Sequence, residues 1–462
     1  MKEGFVVPIK EKFVYGIGDT AINIAYGAIG FFLLWFMVNV GGIGAGKAGL
    51  IFLIARLWDA VSDYLMGRIS DITKTRWGRR RPYILFGAIP MGIAFALLWL
   101  TPGLTEAVRF AYYLAVFVIF NTAFTVVAVP YGALMPEMTQ NYDERTVLSG
   151  FRMGSSFVGT LLGAAGIPLI CWTMLSGMKN FESFPIMGMI FGFLIIVILF
   201  ITATGTKERT EHVKQVQEGL FQTLVSFFKL REFRIVIGMF LFNMIGFDII
   251  MANIMFFLGD VAKIKGDIQA VFTAITLVVA VIAAPFWVMM GEKWGKKKAY
   301  IVSALYFVFA LFTLLFIPSE NNLLLVAAAC ALTGIGISAS QVIPWSILPD
   351  IIEIDEYHNG VRREGAFYGI TTFLYKLASA AAIALTGFVL YKFGYKEAAI
   401  DDTLKKVIVQ PESAIMAVRV MVAIVPGIFF LISAVFVQML PITKESFNEI
   451  REKLAERKDE NL

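Results

Sequence analysis

Three charged residues stand at helical spacing within an otherwise apolar stretch of the sequence. Arg56, Asp59 and Asp63 are three and four residues apart, so a helix places them on one face, and Ser62 adds a hydroxyl beside them. Burying an ionisable side chain in a membrane costs about 2.5–3.5 kcal/mol, so each needs a reason to be there. Two adjacent carboxylates can share a proton, pair with Arg56, or hold a small cation between their oxygens. The pattern predicts a site for a small cation. The alternative is an Arg56–Asp59 pair that only fixes the helix, with Asp63 near a hydrated end.

A lysine lies deep in another apolar stretch. Lys376 is about ten residues inside it, which is about 15 Å along a helix and too far for the ammonium group to reach water easily. It needs a polar cavity or an acidic partner, for which Asp59 and Asp63 are candidates. Arg152 begins a further apolar stretch, where it could reach a central cavity or lie at the membrane surface. With these two cations, the residues assigned to solute binding and coupling are Asp19, Asn23, Arg56 and Thr372, whereas Asp248 and Asp260 are expected to be structural.

These residues require membrane helices to position them. Of the 462 residues, 58% are hydrophobic and only 16% are charged, which is too little charge for a soluble domain of this length. Runs of about 20 mostly apolar residues are long enough to cross a bilayer as helices, and they do not alternate as barrel strands do. We therefore predict an all-α membrane protein with twelve transmembrane helices. They cover residues 14–38, 48–70, 83–101, 108–136, 151–177, 184–204, 233–258, 266–290, 299–318, 322–349, 366–391 and 413–440.

Basic residues are concentrated in alternate loops. The loops after the second, sixth, eighth and tenth predicted spans are basic, whereas most odd-numbered loops have one basic residue or none. The loop after the eleventh span is an exception, because it contains several lysines, although acidic residues offset their charge. Lysine and arginine accumulate on the cytoplasmic side of membrane proteins. We therefore expect both termini to be cytoplasmic. The N terminus lacks a signal-peptide pattern, and we expect a multi-pass protein of the cell (inner) membrane.

Two motifs occur twice. WGRRRPYI at residues 77–84 follows the second predicted span, and WGKKKAYI at 294–301 follows the eighth. PYGALMPE at 130–137 and PWSILPD at 344–350 end the fourth and tenth spans at nearly the same offset. This repeat predicts two six-helix bundles in the same orientation, the major facilitator arrangement. The predicted parts are an N-terminal bundle 1–204 with the cation site, a connecting segment 205–232 with an amphipathic helix, a C-terminal bundle 233–441 and a charged tail 442–462.

Ionisable residues also cluster after the fourth and tenth predicted spans. They can be solvated loop charges, or they can form ion pairs between the two halves that close a cytoplasmic gate, and the sequence leaves both interpretations open. The residues assigned to this gate are Asp143, Arg145, Glu353, Asp355 and Arg363.

The chain resembles the glycoside–pentoside–hexuronide:cation symporters, the group of the melibiose permease within the major facilitator superfamily. The resemblance runs nearly end to end. Its markers are YGIGD at 15–19, ARLWDAVSD at 55–63, RWGRRRP at 76–82, PDIIE at 349–353 followed by Asp355 and Glu356, and RREG at 362–365 leading to Lys376. It implies uptake of a sugar or glycoside coupled to sodium, lithium or protons. It also implies cation ligands, which are Asp59, Asp63, Ser62 and Thr125, and a linking role for Lys376 between the cation and sugar sites.

The sugar side departs from the melibiose permease. Asn23 and Ala128 stand where that protein has aspartates, and Gly132 stands where it has a stacking tryptophan, whereas Arg152 is retained. A galactoside held by two carboxylates is therefore not expected. A different sugar, a uronate or another small anionic solute near Arg152 and Lys376 remains open.

The predicted function is secondary active transport by alternating access, with cation-coupled symport of a sugar, glycoside or uronate. The main alternative is a cation-coupled symporter of a non-sugar solute. Remote alternatives are a channel and an intramembrane protease, for which Gly16-Ile17-Gly18-Asp19 offers only one of two motifs. The sequence has no P-loop and no HExxH motif. We therefore expect no enzymatic activity, no cofactor besides the coupling cation and no nucleic-acid partner. We expect the protein to be a monomer in the lipid bilayer and to bind a small-molecule substrate.

Overall fold

The computed structural model describes residues 6–103, 105–139, 141–175, 178, 180–209, 220–264, 266–318, 322–359, 364–397 and 409–440, and the regular secondary structure of these residues is helical. The helices in the first part of the chain are α1 Ile9–Asn39, α2 Ala45–Ile72, α3 Arg81–Leu97, α4 Glu106–Gly132, α5 Tyr142–Pro168 with its π-helical continuation Leu169–Met174, and α6 Asn180–Gly205. They are followed by α7 Leu220–Lys229, α8 Arg231–Val261, α9 Gly266–Trp294, α10 Lys296–Phe316, α11 Leu323–Asn359, α12 Glu364–Lys392 and α13 Glu412–Gln438.

Most of these helices suit a bilayer. Among the described residues, ten helices are long and apolar enough to cross a membrane. Two others coincide with predicted spans: α2 has 28 residues but carries the charges of the cation motif, and α3 has 17 residues. Each predicted apolar stretch thus coincides with a helix, and α7 lies in the predicted connecting segment. The all-helical prediction is confirmed, whereas twelve crossings and cytoplasmic termini stay predictions.

The first compact unit comprises residues 1–214, 252–274 and 383–417. It holds α1 to α6 together with parts of α8, α9, α12 and α13. Within it, α1 packs along α5, α3 packs against α4 and α6, and α2 packs against α4. The contact between α3 and α6 depends on glycine, because a Cβ atom on Gly92 would lie 2.4 Å from the carbonyl oxygen of Gly192. The packing of α2 on α4 is the contact that builds the predicted cation site.

The second compact unit comprises residues 215–251, 275–382 and 418–462. Its apolar core is drawn from all the helices from α7 to α13. A buried polar network crosses this core: the Tyr300 hydroxyl donates to Asn243 Oδ1 at 3.0 Å, the Asn243 amide donates to the carbonyl of Ser340 at 2.8 Å, and Ser433 donates to the carbonyl of Met239 at 2.7 Å. Because each buried polar group needs a partner, these bonds fix how α8, α10, α11 and α13 pack.

The repeated motifs make the same contact in each half of the chain. In the first half, Arg79 Nη2 donates to Glu137 Oε1 at 2.6 Å; in the second, Lys296 Nζ donates to Asp350 Oδ1 at 2.7 Å. Arg79 and Lys296 are the third residues of WGRRRPYI and WGKKKAYI. Glu137 and Asp350 are the acids that end PYGALMPE and PWSILPD, each directly after a proline. The glycine before each basic residue has a positive φ, 104° at Gly78 and 80° at Gly295, which L side chains rarely adopt. The sequence repeat is thus also a repeat of local geometry.

Candidate functional site

The predicted cation ligands meet where α2 packs on α4. Thr125 Oγ1 lies 3.0 Å from Asp59 Oδ1 and 2.8 Å from Asp63 Oδ1, so one hydroxyl of α4 bridges two carboxylates of α2. Ser62 Oγ lies 3.1 Å from the same hydroxyl and donates to the carbonyl of Asp59 at 3.0 Å. Asp59 is only 1% exposed. The four residues assigned to cation binding are therefore neighbours in space.

Arg56 approaches one carboxylate of this cluster. The guanidinium Nη1 of Arg56 lies 3.9 Å from Asp59 Oδ2, the limit of an ion pair and beyond hydrogen-bonding distance. The bridging hydroxyl of Thr125 has one proton, so it can donate to only one of the two carboxylates at a time. The alternative in which Arg56 and Asp59 only fix the helix stays open. Two carboxylates this close can also share a proton or hold a cation between their oxygens.

The ligand atoms available here are all oxygens. Two carboxylates and two hydroxyls suit hard cations such as sodium or lithium, and a proton could instead be held by the carboxylate pair. Among the described residues, no group of three or more histidine, cysteine, aspartate or glutamate side chains is arranged to hold a metal ion. That the site takes a monovalent cation stays a prediction.

A second charged cluster joins α1 to α5. Arg152 Nε donates to Asp19 Oδ1 at 3.2 Å, and the Asn23 amide donates to the backbone carbonyl of Asp19 at 2.8 Å. The Asp19 side chain is 7% exposed and that of Arg152 is 38% exposed. The structure therefore brings together Asp19, Asn23 and Arg152, three residues that the sequence assigned to solute binding. Here one acid faces one base, so the charges balance.

Two tyrosines complete this second cluster. The Arg152 guanidinium lies 5.5 Å from the centre of the Tyr131 ring, which stacks on the Tyr15 ring at 5.0 Å. The Tyr131 hydroxyl donates to the backbone carbonyl of Tyr15 at 2.7 Å. The sequence analysis did not select either tyrosine as a functional residue. Tyr15 stands four residues before Asp19, a helical spacing that could have suggested it, whereas the contact of Tyr131 depends on helix packing.

Two other predicted site residues lie on α12. Thr372 and Lys376 are four residues apart, so they share one face of the helix; Thr372 is exposed and Lys376 is half-buried. The neighbouring Tyr375 hydroxyl donates to Asp248 Oδ1 of α8 at 3.3 Å, within the second compact unit. That Lys376 is linked to the carboxylates of α2 stays a prediction.

The predicted gate residues are only partly described. Arg145 Nε donates to the backbone carbonyl of Thr139 at 3.0 Å, Asp355 is buried in α11, and Glu353 is half-buried. Arg363 and the side chain of Asp143 lie outside the described residues. A gate made of these residues stays a prediction.

Other ion pairs lie near this gate set. Lys12 pairs with Glu144 at 2.8 Å, and Glu11 pairs with Arg209 at 2.6 Å. Burial raises the pKa of Glu144, but hydrogen bonds from Lys12 and from the backbone N–H of Val7 outweigh burial, and the pKa lies below its usual value. The sequence analysis did not name these pairs, because no helical spacing links their partners.

Comparisons with known proteins show the family of the chain. A family model described as MFS/sugar transport protein matches residues 14–444. The chain is 30% identical to the uncharacterized symporter YnaJ of Bacillus subtilis (96% of this chain, 95% of the relative) and 29% identical to the glucuronide carrier protein homolog of Escherichia coli (96% and 95%). It is 24% identical to a sodium-dependent lysophosphatidylcholine symporter of Xenopus tropicalis (94% and 87%).

The fold has counterparts among solved structures. A bacterial homolog of the human lysosomal transporter Spinster, in an inward-facing conformation, superimposes with a TM-score of 0.69 at 13% identity, covering 95% of this chain and 97% of the other. At this identity the likeness concerns the fold alone. The chain therefore belongs to the MFS/sugar transport protein family, in the glycoside–pentoside–hexuronide group of major facilitator transporters.

Proposed function

We propose that the protein is a secondary active transporter that couples entry of a sugar, glycoside or uronate to entry of Na⁺, Li⁺ or H⁺ by alternating access. The observation that carries the proposal is the Thr125 hydroxyl, which lies within 3.0 Å of a carboxylate oxygen of both Asp59 and Asp63. Two carboxylates held this close repel each other, and a bound cation or a shared proton relieves that repulsion. The coupling ion would therefore complete the cluster, with Asp59, Asp63, Ser62 and Thr125 as its ligands.

The solute side of the proposal rests on Arg152. Its Nε donates to Asp19, and the side chain is 38% exposed, so part of the side chain is accessible to a solute. A guanidinium fork binds a carboxylate or a phosphate through two parallel hydrogen bonds. Among the proposed substrates, Arg152 therefore favours a uronate over a neutral sugar, and the relative whose name describes a glucuronide carrier agrees with this choice.

A non-sugar solute is the second candidate. The same guanidinium would suit a phosphate group, and one relative is named a lysophosphatidylcholine symporter. The two candidates differ in the group that Arg152 contacts, so competition with uronates and with phosphate-bearing amphiphiles separates them.

The test is uptake into proteoliposomes that contain the purified protein. Neutral sugars, uronates, glycosides and lysophospholipids are each offered with an inward gradient of Na⁺, Li⁺ or H⁺. We expect saturable accumulation of a uronate above its external concentration, which collapses when the ion gradient is dissipated. Glu106→Gln is the matched control, because Glu106 makes an exposed pair with Lys47 at 2.8 Å, and such pairs contribute little. Only downhill flux for all solutes would indicate a channel and contradict symport.

A further inference from the structure

Three chain segments of the first compact unit meet at the end of α1 that is opposite the N terminus. Asn39 ends α1, Asp260 lies in the last turn of α8, and Tyr395 follows α12. The Tyr395 hydroxyl donates to Asp260 Oδ2 at 2.6 Å and lies 3.1 Å from Asn39 Oδ1. The Phe256 ring packs edge-on against the Tyr395 ring at 5.3 Å. Tyr395 is 5% exposed, and Asn39 and Asp260 are partly buried.

The hydrogen bonds of the cluster can form a directed chain. The tyrosine hydroxyl has one proton, which goes to the carboxylate at the shorter distance. Burial and the neighbouring Asp260 raise the pKa of the Tyr395 hydroxyl well above its usual value, so the hydroxyl remains a donor. The amide nitrogen of Asn39 is buried and has no hydrogen-bond partner among the described residues. A half-turn of the amide would let that nitrogen donate to Tyr395, and the chain would run from amide to hydroxyl to carboxylate.

Local structure fixes the position of Tyr395. The chain leaves α12 through Gly394 at a φ of 75°, and the N–H of Tyr395 donates to the carbonyl of Leu390 at 2.9 Å. This is the usual glycine-based end of a helix. The side chain of Gln410 then accepts from the N–H of Lys396 at 2.9 Å and donates to its carbonyl at 2.8 Å. Tyr395 is therefore held in place from both sides.

The helices beside this cluster are in close contact. A Cβ atom on Gly387 of α12 would lie 2.8 Å from the Cα of Gly49 in α2, so the two backbones touch. Nearer the end of the helices, a Cβ atom on Gly46 would lie 3.2 Å from Cβ of Tyr391. Between α8 and α12, the Asn253 amide donates to Thr386 at 2.9 Å. Among the described residues, α2 and α12 leave no gap at these points.

We propose that Tyr395 is a latch that holds the extracellular ends of α8 and α12 against α1 and α2 through Asp260 and Asn39. By sequence, α8 and α12 belong to the second six-helix half, so alternating access must break these contacts whenever the extracellular side opens. Opening returns the Asp260 carboxylate to water, where it is well solvated, and closing gives it the tyrosine hydroxyl in exchange. A half-closed arrangement offers neither, because a carboxylate buried without a donor is unfavourable. The latch therefore favours two discrete states over intermediates.

A cysteine pair measures closure without any solute. Cys171 and Cys330 are buried, and both are replaced by alanine in the background. Gly46→Cys and Tyr391→Cys then place two Cβ atoms about as close as the roughly 3.5–4.5 Å of a disulfide. In membranes treated with a mild oxidant, we expect rapid cross-linking. Tyr395→Phe should slow it about tenfold, because the closed state loses a hydrogen bond to a charged group. Tyr112→Phe, which removes a hydroxyl that donates to the carbonyl of Leu97, should leave the rate unchanged.

A second substitution tests the chemistry of the latch. Replacing both partners of a buried hydrogen bond by apolar groups is nearly neutral, whereas removing one is costly. Tyr395→Phe combined with Asp260→Leu should therefore recover most of the cross-linking rate. The proposal would be overturned if the cross-linking rate of Tyr395→Phe were unchanged. It would also be overturned if that rate fell and adding Asp260→Leu did not restore it.

The assay has a second variant and is independent of the solute. If Tyr395→Phe does not reach the membrane, Asn39→Ala replaces it. A few-fold fall in the cross-linking rate of this variant supports the latch, and an unchanged rate contradicts it. The proposal rests on alternating access alone. Because the assay contains neither solute nor coupling ion, its failure leaves the proposed coupling untouched, and a failure of coupling leaves the cross-linking result standing.

Discussion

The two charged clusters of the first compact unit differ in how their acids are arranged. Between α2 and α4, Asp59 and Asp63 share one threonine hydroxyl, and Arg56 lies 3.9 Å from an oxygen of Asp59. Between α1 and α5, Asp19 and Arg152 form a one-to-one pair at 3.2 Å. The first cluster holds two carboxylates around one hydroxyl, whereas the second pairs one carboxylate with a guanidinium side chain that is partly exposed.

In the proposed function, this difference lets neighbouring helices serve two different ligands. Two adjacent carboxylates attract a small cation. A one-to-one pair has no such need, but its exposed guanidinium can exchange water for an anionic group of the solute. Four sets of substitutions test the parts of this comparison.

The largest effect is expected from the carboxylate pair itself. Asp59→Asn and Asp63→Asn each remove one negative charge while keeping the shape of the side chain. Losing one partner of a buried charged contact costs about 2–5 kcal/mol, so the affinity for the coupling cation should fall about 30-fold or more and uphill uptake should be lost. The measurement is the accumulation ratio of solute in proteoliposomes under a sodium or proton gradient. Accumulation by both variants at the level of Glu106→Gln would show that the cation binds elsewhere.

The second prediction concerns the residue proposed to link the clusters. Lys376→Ala removes a cation from the interior of α12, and uptake should lose most of its stimulation by the coupling ion while downhill exchange of solute persists. The readout is the ratio of initial uptake rates with and without the ion gradient. The exposed Lys47 gives the matched control as Lys47→Ala. Full ion stimulation in Lys376→Ala would mean that the clusters communicate without this lysine.

The third prediction breaks the balanced cluster. Arg152→Lys keeps the charge but removes the fork that can bind two oxygens at once, so KM for a carboxylate-bearing solute should rise about 30-fold, with little change in the affinity for the coupling ion. Uptake of neutral sugars, where it occurs, should change far less. An equal rise in KM for charged and neutral solutes would show that Arg152 supports the helix packing and does not contact the solute.

The sequence allowed much of the first cluster to be predicted. The spacing of Asp59 and Asp63 on one helix follows from helical geometry, and the structure places them as expected, with Ser62 beside them. Thr125 was reached through resemblance alone, because its position depends on how α4 packs on α2. The motif repeat was likewise visible in the sequence, since Arg79 and Lys296, and Glu137 and Asp350, hold corresponding positions.

Much of the second cluster could not be predicted. Asp19 and Arg152 are both visible as charges in apolar stretches, but that they pair with each other depends on the packing of α1 along α5. Tyr131 is even less visible, because an aromatic residue in a membrane helix usually signals core or lipid contact. The same holds for Asp260, which the sequence suggested as structural; its contact with Tyr395 joins residues that are 135 positions apart.

The smallest expected effect tests the hydroxyl that joins the two carboxylates. Thr125→Val has nearly the same shape but no donor, so the affinity for the coupling cation should fall about tenfold, as expected for a hydrogen bond to a charged group. Thr125→Ser keeps the hydroxyl and should lie close to the unmodified protein. The measurement is the concentration of Na⁺, Li⁺ or H⁺ that gives half-maximal uptake. If the Val and Ser variants behave alike, the hydroxyl is a packing group and the cation is held by the carboxylates alone. If only the Val variant is weakened, the threonine is a ligand, and the carboxylates of α2 bind the cation together with an oxygen supplied by α4.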